Sequence, residues 1–181
     1  MMDKIILGID PGTNIMGFGL IKCIKSDIKL LQYGIISLSK ESNHEMKLKK
    51  IFTRVTELIG DYKPDEIAIE SPFFGKNVQS MLKLGRAQGA TIIASVVNNI
   101  PIVEYAPKKI KLSITGSGKS SKEQVAGMLM KMLKLNKKPK YLDATDGLAV
   151  AVCHALQNDL MIQNKKESWS QFIKNNPKRV S

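Results

Sequence analysis

Four carboxylates stand out by their position. Asp10 closes the apolar run Ile5-Ile6-Leu7-Gly8-Ile9, just before Pro11-Gly12-Thr13. Glu70 closes a second run, Ile67-Ala68-Ile69, before Ser71-Pro72. Asp143 and Asp146 lie three residues apart at the start of a predicted helix, on neighbouring positions of one face. If the two runs are adjacent strands, Asp10 and Glu70 stand side by side at a sheet edge. Buried like charges repel, so such a cluster needs cations or raised carboxyl pKa values. Oxygen donors with no His or Cys beside them suit Mg²⁺ or Mn²⁺ rather than zinc. Each acid also has a purely local explanation. Asp10-Pro11-Gly12 reads as a turn, Asp143 as a helix N-cap, and Asp146 as a first-turn acid favoured by the helix dipole. Glu70 is the hardest to explain locally, because a carboxylate completing an apolar strand needs a partner.

The lysines carry the second signal. The chain holds 28 Lys and Arg against 16 Asp and Glu, a net charge of +12. Most of the excess falls in residues 104–142, where ten lysines face two glutamates. A localised basic patch is the electrostatic footprint of a phosphate-backbone binder. A lysine-rich helix surface that keeps the protein soluble is the plainer reading of the same residues. The segment Thr115-Gly116-Ser117-Gly118-Lys119 resembles a phosphate loop only superficially. Ser113 stands where the upstream glycine belongs, and a predicted helix rather than a strand precedes it.

These residues need elements to hold them. Runs over 4–10, 17–24 and 28–37 predict three strands with short links, an antiparallel meander. Leu48, Ile51, Phe52, Val55, Leu58 and Ile59 recur at helical spacing over 44–60. Strands are predicted at 67–70 and 101–105. A long helix over 77–98 is expected to bury Leu82, Ala90, Ile93 and Val97, with Gly85 and Gly89 together on one face. Helices follow at 107–114, at 122–135 behind a Ser120 or Ser121 cap, and at 143–157. Residues 1–158 read as one domain, a size that buries a real core. Residues 159–181 read as a polar, basic, disordered tail, with Trp169 and Phe172 as its only anchor. No apolar run nears the roughly 20 residues of a membrane helix. The N-terminus lacks signal-peptide character. Cys23 and Cys153 show no metal spacing. A cytoplasmic protein is expected.

Five ordered segments carry a family resemblance. Ile6 to Thr13, Ala68-Ile69-Glu70, Leu82 to Gly89, Glu104-Tyr105-Ala106-Pro107 and Asp143 to Ala149 together resemble the RuvC family of Holliday junction resolvases. The resemblance implies an α/β, RNase H-like fold: a five-stranded mixed sheet, order 3-2-1-4-5, with helices on both faces. It implies a homodimeric, Mg²⁺-dependent endonuclease that nicks opposed strands of four-way junction DNA. By motif, Asp10, Glu70, Asp143 and Asp146 match the metal-binding catalytic acids. Lys111 and Lys122 match basic residues beside the site, and Phe73 an aromatic associated with the junction. Association with a branch-migration helicase complex of the RuvA and RuvB type is also implied. Two Mg²⁺ ions about 4 Å apart supply what phosphodiester hydrolysis needs, and Mn²⁺ can substitute. The products would be 5′-phosphate and 3′-hydroxyl ends. An exposed Phe73 or Phe74 ring can stack on an unpaired base. Lys76, Lys108, Lys109 and Lys119 join Lys111 and Lys122 as candidate phosphate contacts.

Two other readings compete. An ATPase-like phosphotransfer domain of the actin and sugar-kinase type shares the Asp-x-Gly-Thr loop, but it needs a second lobe and a second phosphate loop. A non-catalytic basic DNA-binding module accounts for the lysines but not for the converging acids.

Overall fold

The computed structural model describes residues 3–25, 27–72, 77–135 and 142–166. Three strands open the chain: β1 (Lys4–Asp10), β2 (Ile15–Ile24) and β3 (Asp27–Ser37). Helix α1 (His44–Tyr62), strand β4 (Glu66–Glu70), helix α2 (Val78–Val97) and strand β5 (Ile102–Tyr105) follow. Helices α3 (Pro107–Thr115), α4 (Lys122–Met132) and α5 (Leu142–Lys166) complete it. The five strands form one sheet in the order β3-β2-β1-β4-β5. The meander pairs antiparallel, and β1-β4 and β4-β5 pair parallel. This is the expected mixed sheet with helices on both faces.

Side-chain alternation sorts the two faces. Leu7, Ile9, Ile67 and Ile69 point into a core shared with α1 and α2. Ile6, Ile21 and Ala68 point the other way, into a core shared with α3, α4 and α5. Asp10 falls in phase with Ile6, and Glu70 with Ala68. Both acids therefore belong to the α5 face.

Between Ala144 and Ala155, helix α5 is buried almost all round, which is why this stretch is Ala- and Val-rich rather than amphipathic. It lies directly on the sheet because glycines remove the side chains between them. A Cβ on Gly8 would stand 2.3 Å from the Ala151 amide nitrogen, and one on Gly19 would stand 2.4 Å from the Leu148 Cα. From the helix side, a Cβ on Gly147 would meet the backbone of Gly17 and Phe18 at 2.5 Å. The small residues thus set the height of α5 above β1 and β2.

Local signals explain the boundaries. Asn43 caps α1 by accepting from the Met46 amide, and Lys63 ends it in the left-handed region before Pro64. Pro107 opens α3, and Gly116 closes it at φ 77°. Of the two serines ahead of α4, Ser121 is the cap, in a reciprocal capping box with Gln124. α5 runs on to Lys166, well past the expected end at 157. No Gly or Pro interrupts residues 157–166, so nothing in the chain stops the helix there. Trp169 and Phe172 lie outside the described residues.

The expected core of α2 is corrected. Leu82, Ile93 and Val97 are exposed, and only Ala90 of the four packs against the core. The buried side carries Ala87, Gln88, Thr91, Ala94 and Ser95 instead. Thr91 and Ser95 satisfy their hydroxyls on the carbonyls of Ala87 and Thr91. Short side chains let α1 and α2 approach each other, and polar residues at those positions disguise the buried face in the sequence. Val78, Leu82, Gly85, Gly89, Ile93 and Val96 form one outward stripe at helical spacing, and the two glycines face open space.

Candidate active site

Three elements deliver the acids to one edge. Asp10 and Glu70 follow the last paired positions of β1 and β4, Ile9 and Ile69. Neighbouring strands lie about 4.8 Å apart, so the two carboxylates emerge side by side. Gly17 is the antiparallel partner of Asp10, and a Cβ on it would lie 2.0 Å from the Asp143 carbonyl oxygen. The first turn of α5 is thereby seated above the end of β1, and it carries Asp143 and Asp146.

A cavity of about 80 Å³ lies at this junction, lined by Asp10, Glu70 and Asp146 among its acids and by Lys111 and Lys122 among its bases. Asp143 stands at the outer side, with its side chain 42% exposed against 13% for Asp146. Lys122 is the first residue of α4, and the capping box fixes that turn. Its ammonium lies 2.5 Å from Asp146 Oδ2 and 3.5 Å from Asp143 Oδ1.

The electrostatics follow from burial and crowding. Burial, then the charges of Glu70, Asp146 and Asp143, pushes the Asp10 carboxyl up to about 8, against the opposing pull of Lys122. Burial and Asp146 push Glu70 up to about 7. Burial likewise raises Asp146, although its hydrogen bond from Lys122 opposes this. Burial alone would lower Lys122, but the hydrogen bond to Asp146 and the charges of Asp146, Asp10 and Asp143 raise it instead. The two lysines therefore do not supply enough positive charge to keep every carboxylate ionised near neutral pH. That is the electrostatic condition a divalent cation relieves, and the all-oxygen donor set fits one. Among the described residues no three acid, His or Cys side chains close to single-ion ligand geometry; the Lys122 ammonium stands inside the cluster.

The other expected site residues separate. Lys119 lines a different groove beyond α4. Lys108 backs onto Gly118, and Lys109 lies on α3 near enough to Cys153 to oppose the rise that burial imposes on that thiol. Phe73, Phe74 and Lys76 lie outside the described residues. One cluster escaped the reading of the sequence. His154 on α5 bonds Glu66 Oε2 through Nε2 at 2.7 Å and the Tyr105 hydroxyl through Nδ1 at 2.8 Å. Lys4 completes it at 2.5 Å from Glu66. This chain, buried at His154 and open to solvent at Lys4, ties α5 to β5 and to the end of β4 opposite Glu70. A histidine within the otherwise apolar stretch from Gly147 to Leu156 was its trace in the sequence.

A mixed sheet of this order, with acids at the ends of β1 and β4 and in the first turn of the helix packed across them, defines an RNase H-like nuclease. The family model for the crossover junction endodeoxyribonuclease RuvC matches residues 6–154. A RuvC crossover junction endodeoxyribonuclease of Cytophaga hutchinsonii is 58% identical over 179 residues, covering 99% of this chain and 89% of that protein. Its counterpart in Christiangramia forsetii is 57% identical, covering 98% and 93%. Among solved structures, Thermus thermophilus RuvC in complex with a Holliday junction substrate superposes with TM-score 0.81 at 28% identity, covering 87% of this chain and 96% of that one. The chain belongs to the RuvC family of crossover junction endodeoxyribonucleases.

Proposed function

We propose that this protein resolves four-way DNA junctions by paired nicks in opposed strands, leaving 5′-phosphate and 3′-hydroxyl ends. The observation that carries the reading is the convergence of Asp10, Glu70 and Asp146 on one cavity with Lys111 and Lys122. A non-catalytic DNA-binding module has no use for desolvated acids among its lysines.

Asp10, Glu70, Asp143 and Asp146 would hold the metal, two Mg²⁺ ions with Mn²⁺ as a substitute. Divalent cations held there would supply Lewis acidity for phosphodiester hydrolysis. Lys122 exchanges its carboxylate partners for a phosphate oxygen as substrate enters, and Lys111 flanks the same phosphate. Phe73 stacks on a base at the junction centre, with Phe74 and Lys76 beside it.

Two symmetric scissile phosphates need two sites, hence a two-fold homodimer. The outward stripe of α2 is its contact surface, with Gly85 and Gly89 allowing two helices to approach closely. The protein works in the cytoplasm beside a branch-migration complex of the RuvA and RuvB type. Incubation of a synthetic four-way junction with the protein and Mg²⁺ tests the core of this reading. Symmetric nicks that vanish with chelator are expected; absence of nicking in Mg²⁺ and in Mn²⁺ overturns it.

A further inference from the structure

Helix α4 separates two cavities. Its inner side, with Lys122 and Val125, walls the acidic cavity. Its outer side presents Gln124, Gly127, Met128 and Lys131 to an open groove of about 650 Å³. The spacing i, i+3, i+4, i+7 makes these one helical stripe. We propose that this groove holds the sugar-phosphate backbone of the duplex arm that flanks the cleaved strand. The proposal rests on the junction-cleaving reading and extends its substrate contacts beyond the acidic site.

Charge and shape favour this ligand. Lysines 119 and 131 line the groove, and among the described residues no carboxylate does. The adjacent Glu123 is not part of the lining. The facing wall is the loop after α3, and its own bonds preform it. The Thr115 hydroxyl lies 2.7 Å from that of Ser120, and the Lys119 amide donates to the Ser117 hydroxyl at 3.3 Å. A wall already ordered loses little freedom when it binds. The Ser121 and Gln124 amides at the α4 N-terminus are engaged by the capping box, and the positive charge of the groove comes from lysine side chains.

Gly127 adds an independent observation. It sits inside α4, where glycine weakens a helix. No neighbour requires it, since a Cβ there would meet nothing within 4 Å. An open helix backbone facing a groove is what close approach of another backbone uses. Nine residues of helix separate Lys122 from Lys131, about 13 Å at 1.5 Å per residue. Lys131 thus lies about two and a half turns on and on the opposite side of the helix, and it addresses backbone outside the acidic cavity.

Binding of a synthetic four-way junction, followed by fluorescence anisotropy across a salt series, tests this with Lys131→Ala, Gly127→Glu and Gly127→Ala. Lys131→Ala should weaken binding about 3- to 10-fold and flatten the plot of log affinity against log salt by about 0.9. Gly127→Glu should weaken binding at least about tenfold at low salt, because it adds a like charge to phosphate. Gly127→Ala should raise the melting temperature yet lower affinity, a combination that misfolding does not produce. Unchanged affinity and slope in the Lys131 and Gly127→Glu variants overturns the proposal and hands the groove to another partner, such as an acidic protein surface. Weaker binding with an unchanged slope overturns it too. Nicking by the wild-type protein is scored in parallel. Its absence sinks the function reading, whereas intact nicking with unshifted binding in the variants sinks the groove alone.

Discussion

The Cβ that Gly17 lacks would stand 2.0 Å from the carbonyl oxygen of Asp143. Because Gly17 also pairs with Asp10, this one close approach fixes the height of the helical acids above the strand acid. Gly17→Ala must lift or shift the first turn of α5. Overpacking of this kind costs about 1–3 kcal/mol, and the melting temperature should fall by roughly 2–4 °C per kcal/mol. Junction nicking should fall by far more than stability does. Wild-type nicking by a folded Gly17→Ala protein would show that the site tolerates displacement of α5.

Asp10→Asn, Glu70→Gln and Asp146→Asn should each abolish nicking while leaving junction binding intact or stronger, since each removes a negative charge near the phosphates. Gel-shift and cleavage assays on one junction separate the two effects. Normal nicking by two of the three would remove the metal site from the reading.

The metal-free protein should become less stable as pH rises. Asp10 and Glu70 are held at about 8 and about 7 in the folded chain, against 3.8 and 4.5 in an ordinary environment. Between those ranges the folded state binds more protons than the unfolded one, so stability falls with rising pH until about 8 and then levels. Melting in chelator from pH 5 to 8.5 checks this. Asp10→Asn should flatten the decline and melt higher than wild type at pH 8. Excess Mg²⁺ should raise the melting temperature at pH 8 more than at pH 5. A flat profile in chelator would contradict the crowding of these carboxyls.

The buried chain through His154 predicts a purely structural cost. His154→Phe removes the partner of the Tyr105 hydroxyl and one partner of Glu66, and losing such a part-buried bond costs up to about 1–3 kcal/mol. The Lys4 and His154 contacts lower Glu66 against the rise that burial alone would cause. Glu66 therefore contributes stability above its ordinary pKa, and this is lost as pH falls through its lowered one. Glu66→Gln should abolish that acid-side loss. Urea melts at pH 7 and pH 4 distinguish the two variants.

Leu82→Asp or Ile93→Asp should leave the fold intact, because both side chains are more than half exposed. Each should convert a dimer to a monomer in sedimentation velocity. A wild-type monomer at micromolar concentration, with and without junction DNA, would remove the dimer.

The sheet and the acidic edge were legible in the sequence for a simple reason. β1 and β4 are buried on both faces, so each reads as a continuous apolar run, and a carboxylate ending such a run has few bland explanations. The faces of α2 were not legible. Its aliphatic residues point outward, and its buried side is built from Ala, Thr and Ser, so the rule that apolar means buried inverted the assignment. The salt bridge from Lys122 to Asp146 was equally invisible. It depends on how the α4 cap aims one turn across the α5 start, a tertiary fact that no spacing along the chain encodes. The chain from Tyr105 through His154 to Glu66 joins three elements distant in sequence, and nothing local marks Glu66 as more than a strand-end acid.

Asp10 and Glu70 come from the early strands, whereas Asp143 and Asp146 come from α5, the last helix among the described residues. A nascent chain halted before residue 142 already carries two of the acids and most of the lysines. It still lacks the helix that fills the middle of one core and completes the charge cluster. Such a fragment can cling to nucleic acid by charge but has no finished blade. The order of synthesis is therefore a safety catch: the capacity to cut DNA comes only once α5 has been added, and any later peeling away of α5 disarms the protein.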